Sequence, residues 1–173
     1  MKPSKTPSVS LETLLARANQ LLDSGQPEDA LRLLAPCHDS PAVLNARGVC
    51  LLRLGSVAAA LPMFRQVVFP AGAFSIPNDI PSPYQANYVT ALLLMGNLSA
   101  GIDLLVEIPD HYHPAVRLLD LAVARWRKSL PWWRRLMLPL GFYPETSIPL
   151  DFPPGNLGMP NSHDLPRPIG RAA

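Results

Sequence analysis

Three stretches of the chain share one layout of apolar and polar positions. Residues 11–37, 42–68 and 84–109 each hold an apolar-periodic segment, a glycine, and a second apolar-periodic segment. Apolar residues recurring at three- and four-residue steps predict amphipathic helices. Each stretch therefore predicts a helical hairpin, turning at Gly25, Gly55 and Gly96. Five residues beyond each glycine stands a small residue, Ala30, Ala60 or Gly101; four further on stands a bulky one, Leu34, Phe64 or Leu105. A turn after a helix asks for a residue that tolerates positive φ, hence Gly. Close approach of two helices asks for a small side chain between them. The bulky residue one turn on fills space toward the next hairpin. A single hairpin cannot bury its apolar face alone, so neighbouring hairpins stack.

Boundary signals agree. Ser40-Pro41 and Ser82-Pro83 each read as an N-cap followed by Pro in the first turn. Pro27-Glu28-Asp29 opens a helix with acidic groups at the positive end of its dipole. A further helix is predicted from Pro114, with Ala115, Leu118, Leu119, Ala122, Trp126 and Leu130 on one face. Arg117, Asp120, Arg127 and Lys128 fall mostly on the other. Pro131 ends it and can start a short successor through Trp132 and Trp133. Two stretches are too proline-rich for continuous helix: an insertion at 70–82 and a tail at 144–173. In the insertion, Phe74, Ile76 and Ile80 suggest a loop lying on the surface of the stack. In the tail, Ile148–Phe152 is apolar enough to dock back on the body, and the last dozen residues read as free.

The three glycine–small–bulky sets, with Ala18, Gly48 and Val89 at the small position of each first helix, resemble the tetratricopeptide repeat family. The likeness covers about 11–109. It departs from the family in two ways. Leu14 and Leu44 stand where the first-helix aromatic is usual, and the glycines are 30 and 41 residues apart against the usual ~34. The resemblance implies an all-α fold: a solenoid of helical hairpins (11–39, 41–69, 82–109), capping helices at 114–138, and a proline-rich extended or disordered tail. Residues 1–9 read as a flexible N-terminus before a helical domain at 10–143.

Composition narrows the function classes. Hydrophobic residues make up 48%, enough for a core, and net charge is only +2, so no strong field recruits nucleic acid. The charge is uneven: residues 111–135 carry six basic groups and one acidic. The start has no signal-like apolar stretch and no apolar run approaches the ~20 residues of a membrane span, which points to a cytoplasmic protein. Cys37 and Cys50 lie among apolar residues and read as buried, inert thiols on helices. His111 and His113 flank Tyr112 without further ligands in reach, so no metal is expected. There is no nucleophile elbow, phosphate loop or spaced carboxylate pair. No cofactor and no catalytic residue is assigned.

The expectation that follows from the resemblance is a non-enzymatic adaptor or assembly subunit. It would bind a peptide or helix of a partner protein in a groove lined by the first helices. Asn19, Leu22, Asn45, Val49, Arg53, Thr90 and Leu93 are its candidate contacts. The competing reading is that the protein's own later helices or tail cover this surface, because an exposed apolar patch of that size is unusual in a monomer. A second candidate surface is Trp132, Trp133, Arg134 and Arg135, within a segment (125–135) holding all three tryptophans and five basic groups. It reads first as a solenoid cap. The alternative is a peripheral membrane contact, with indoles at headgroup level. A small enzyme or enzyme subunit with an unrecognised site is the remaining alternative.

Overall fold

The computed structural model describes residues 10–71, 73, 75–77, 79–144 and 146–158. Among these the chain is all-helical. Its α-helices are α1 (Leu11–Asp23), α2 (Pro27–Leu34), α3 (Pro41–Arg53), α4 (Val57–Val68), α5 (Ser82–Leu94), α6 (Leu98–Glu107), α7 (Pro114–Ser129) and α8 (Trp132–Met137), followed by a 3-10 turn at Leu138–Leu140.

The hairpin turns follow from glycine chemistry. Gly25, Gly55 and Gly96 sit at φ of 72°, 75° and 81°. At each, the N–H of the following residue reaches back to the fifth preceding carbonyl: Gln26 to Leu21, Ser56 to Leu51, Asn97 to Leu92. This is the Schellman arrangement, which satisfies the last helical carbonyls and needs a left-handed residue at its centre. Ser40 caps α3 by accepting from the Val43 N–H. Ser82 departs from expectation. It is the first residue of α5, Pro81 holds the cap position, and no side-chain cap bond forms there. Cys37 also departs: α2 ends at Leu34, so this thiol lies in the following turn, half-buried.

From α1 to α7 each helix packs on its neighbour in the chain, and α1, α3, α5 and α7 also lie side by side. Two apolar clusters result. One joins α1–α5 around Phe64, Leu34 and Cys50. The other joins α5–α7 around Leu93, Leu105, Leu119 and Trp126. The small positions act as the spacing argument requires. A Cβ built on Gly48 would stand 2.6 Å from the Phe64 ring, and one on Gly101 would stand 2.6 Å from Leu93 Cδ2. Glycine at 48 therefore lets the α4 phenylalanine lie directly on the α3 backbone.

Ile76 and Ile80 of the insertion are half-buried against the first cluster; Phe74 lies outside the described residues. So do residues 1–9 and 159–173, which include the expected flexible N-terminus and free terminal dozen. The packed body runs past 143. Ile148 and Leu157 are buried, the first in the α5–α7 cluster and the second in the α1–α5 cluster.

Candidate functional site

Helix α5 explains why the site lies where it does. Every residue from Gln85 to Leu93 is buried, so the helix has no solvent face. All four buried polar residues of the described chain stand on α3 or α5: Asn45, Gln85, Asn87 and Thr90. A polar side chain out of water needs a partner. No buried side-chain nitrogen or oxygen among the described residues lacks one. Thr90 donates to the Ala86 carbonyl of its own helix and Gln85 to the Ile80 carbonyl of the insertion. Asn87 turns toward the tail, and Asn45 accepts a hydrogen bond from it.

The tail crosses the face formed by α3 and α5, antiparallel to both. The Ile148 N–H donates to the Leu93 carbonyl at the end of α5 (3.3 Å). Ten residues on, Gly158 lies against Pro83 and Tyr84 at its start. Between these points the backbone is held by side chains. The Asn87 carboxamide donates to the Asn156 carbonyl (2.6 Å) and accepts from the Asn156 N–H (2.8 Å). Its second donor goes to Asn45 Oδ1 at 2.8 Å, which fixes the amide's orientation. Arg53 donates from Nε to the Pro154 carbonyl (2.6 Å) and from Nη2 to the Gly155 carbonyl (3.2 Å). Burial lowers the Arg53 pKa, opposed by the nearby Asp23; the Pro154 and Gly155 carbonyls accept its hydrogen bonds. Gly155 has φ +84°, and a Cβ there would stand 3.0 Å from Val49, so the tail backbone passes directly over that valine. Leu157 is buried in the α1–α5 cluster and, with Leu15, Ala42, Ala46, Pro83 and Tyr84, lines a cleft at this end of the face.

The predicted groove residues divide accordingly. Val49 and Arg53 lie against the tail, and Asn45 is linked to it through Asn87. Thr90 lies nearby, in a small cleft beside Phe152 and Asn156. Leu22 and Leu93 are core residues instead, Leu93 being spent on Gly101 of α6. Asn19 is half-buried and donates to Asp23 on its own helix. Sequence reasoning missed Asn87, which makes three side-chain hydrogen bonds here, one more than Arg53. Its signal was a carboxamide in the middle of a buried helix, one of three polar residues there with Gln85 and Thr90.

The second predicted surface is split. Trp132 and Trp133 are exposed, and the Arg134 guanidinium lies 5.1 Å from the Trp133 ring centroid, a cation–π distance. Arg135 is used within the fold. Its guanidinium donates to the Leu130 and Lys128 carbonyls and closes the C-terminal end of α7. Trp126 faces inward and is buried. His113 caps α7 through Nδ1, which accepts from the Ala115 N–H. Among the described residues, no three His, Cys, Asp or Glu side chains gather in a way that could hold a metal ion. Cys50 is buried, and desolvation pushes its thiol up to about 11.

No family model, no curated protein and no solved structure matches this chain.

Proposed function

We propose that the chain is a tetratricopeptide-like helical solenoid acting as a non-enzymatic adaptor or assembly subunit, which grips an extended segment of a partner protein on the α3/α5 face. The observation that carries this reading is the two-bond pairing of Asn87 with the backbone of Asn156. A carboxamide presents one donor and one acceptor side by side, matching the C=O and N–H of one extended residue whatever its side chain. With Arg53 on two further carbonyls and Leu157 buried in the α1–α5 cluster, the face has the parts of a peptide-binding groove: main-chain bonds for affinity, a buried apolar position for selectivity. The protein's own tail holds this groove in the structure, so a partner segment must displace it. A cytoplasmic setting belongs to the same proposal, supported by the absence, among the described residues, of any helix long and apolar enough to cross a membrane.

The test is affinity purification from the native cell with three baits: wild type, Asn156→Pro and Asn87→Ala. Asn156→Pro deletes the tail N–H that Asn87 accepts from, and so loosens the tail while leaving the groove intact. A partner enriched with Asn156→Pro and lost with Asn87→Ala supports the proposal. Identical recovery from all three contradicts it.

A further inference from the structure

We propose that the α8 end of the fold docks on the surface of an anionic lipid bilayer, with Trp132, Trp133, Leu136, Leu140 and Phe142 entering the interface and Arg127, Lys128 and Arg134 pairing with lipid phosphates. This surface is distinct in chemistry from the groove, and the inference does not rest on the peptide-binding reading.

The first observation is an amphipathic helix that the fold does not use. At about 100° per residue, Trp132, Trp133, Leu136 and Met137 of α8 share one arc and Arg134 and Arg135 the opposite one. An apolar arc normally faces the core, yet no residue of α8 is buried. Trp132 is 77% exposed, Leu136 62% and Trp133 50%, and the apolar surface continues through Leu140 (65%) and Phe142 (68%). Scattered exposed leucines need no explanation, but five large apolar side chains within eleven residues mark an interaction site.

The second observation is charge. From 121 to 144 the chain carries Arg125, Arg127, Lys128, Arg134 and Arg135 and no acidic residue; Arg125 is paired with Asp151 of the tail, and Arg127, Lys128 and Arg134 remain exposed. Next to α8 lies a cleft of about 290 Å³ lined by Arg127, Lys128, Arg135, Leu138, Pro139 and Tyr143. Basic groups beside apolar ones match a phosphate headgroup and its glycerol. Tryptophan's amphipathic ring suits headgroup depth. A second copy of this chain fits less well, because a two-fold interface would set the basic cluster against itself. With no membrane-spanning helix among the described residues, the contact is interfacial.

The experiment is co-sedimentation of the full chain with vesicles of phosphatidylcholine alone and of phosphatidylcholine mixed with phosphatidylserine. Wild type should sediment with the mixed vesicles, release at high salt, and leave the neutral vesicles unbound. Two variants, Trp132→Ala/Trp133→Ala/Leu136→Ser and Arg127→Gln/Lys128→Gln/Arg134→Gln, should each lose about tenfold in partitioning. All of the replaced side chains are exposed, and unchanged far-UV circular dichroism is the folding control. Tryptophan emission should shift to the blue on mixed vesicles in wild type and not in the first variant, where only the buried Trp126 remains. Failure of wild type to bind the mixed vesicles overturns the proposal. So does undiminished binding by either variant, or light scattering showing a wild-type dimer that the tryptophan variant splits.

Discussion

Asn87 holds Asn156 by its backbone: one side-chain amide donates to the carbonyl at 2.6 Å and accepts from the N–H at 2.8 Å, while its remaining proton goes to Asn45. The carboxamide is thus satisfied by two residues far apart in the chain. Groove and tail form one hydrogen-bonded unit.

Asn87→Ala should therefore strand several polar groups at once, the Asn45 side chain and the Asn156 backbone among them. Leaving buried polar groups unpaired costs about 1–3 kcal/mol. Asn87→Asp should cost more, because a carboxylate cannot donate to the two oxygens that face it. Urea denaturation checks the order: wild type most stable, Ala next, Asp least. Hydrogen exchange should show the Asn156 amide losing protection in both variants.

Gly48→Ala tests the close approach of α3 and α4. The added methyl would lie 2.6 Å from Phe64 Cε1, inside contact distance. Overpacking of this kind costs about 1–3 kcal/mol. Thermal unfolding should fall by several degrees, and the double variant Gly48→Ala/Phe64→Leu should recover part of the loss, whereas a purely local backbone effect would leave the two changes additive.

The two cysteines should differ in reactivity. Cys50 is buried with its thiol held at about 11, whereas Cys37 is half-exposed. A disulfide reagent at mildly alkaline pH should modify one thiol per native chain and two after denaturation. The pH dependence has a definite sign. Cys50 keeps its proton to higher pH in the fold than in the unfolded chain, whose thiol titrates near 9.0. Its contribution is fully present below pH 9 and is lost as pH rises from 9 toward 11. Cys50→Ala should flatten the stability curve over that interval.

Much of the helical layout was legible from the residues. Gly25, Gly55 and Gly96 announce the three turns because the Schellman geometry demands positive φ. Gly48 and Gly101 announce close helix contacts for a steric reason of the same kind. What periodicity could not show was α5's complete burial. A helix covered on every side has no polar stripe, so nothing in its pattern tells Leu93, facing α6, from Thr90, facing the tail. That is why Leu93 was expected in the groove and lies in the core; Leu22, on the buried stripe that α1 forms with Ala18, lies there too. Ser82 read as a cap because Ser-Pro is a frequent helix opening, but Pro81 takes that position. The tail's path was legible only as a tendency to dock. A proline-rich extended segment has no period to reveal its contacts, and the Asn87–Asn156 pairing joins positions 69 apart. Arg135 was expected on a free surface and is engaged with the α7 carbonyls, a contact that depends on the sharp turn at Pro131.

The central claim is that the α3/α5 face binds an extended peptide through its backbone. It is tested most directly by fluorescence anisotropy with a labelled synthetic peptide of residues 146–158, titrated against the full chain. Wild type, its groove filled by its own tail, should bind the peptide weakly. Asn156→Pro, in which the tail is loosened, should bind at least about tenfold more tightly, a difference of ~1.4 kcal/mol. Adding Asn87→Ala to that variant should abolish the gain. Equal affinity of all three proteins, or a gain that survives Asn87→Ala, would contradict the account and leave the tail as a structural strap.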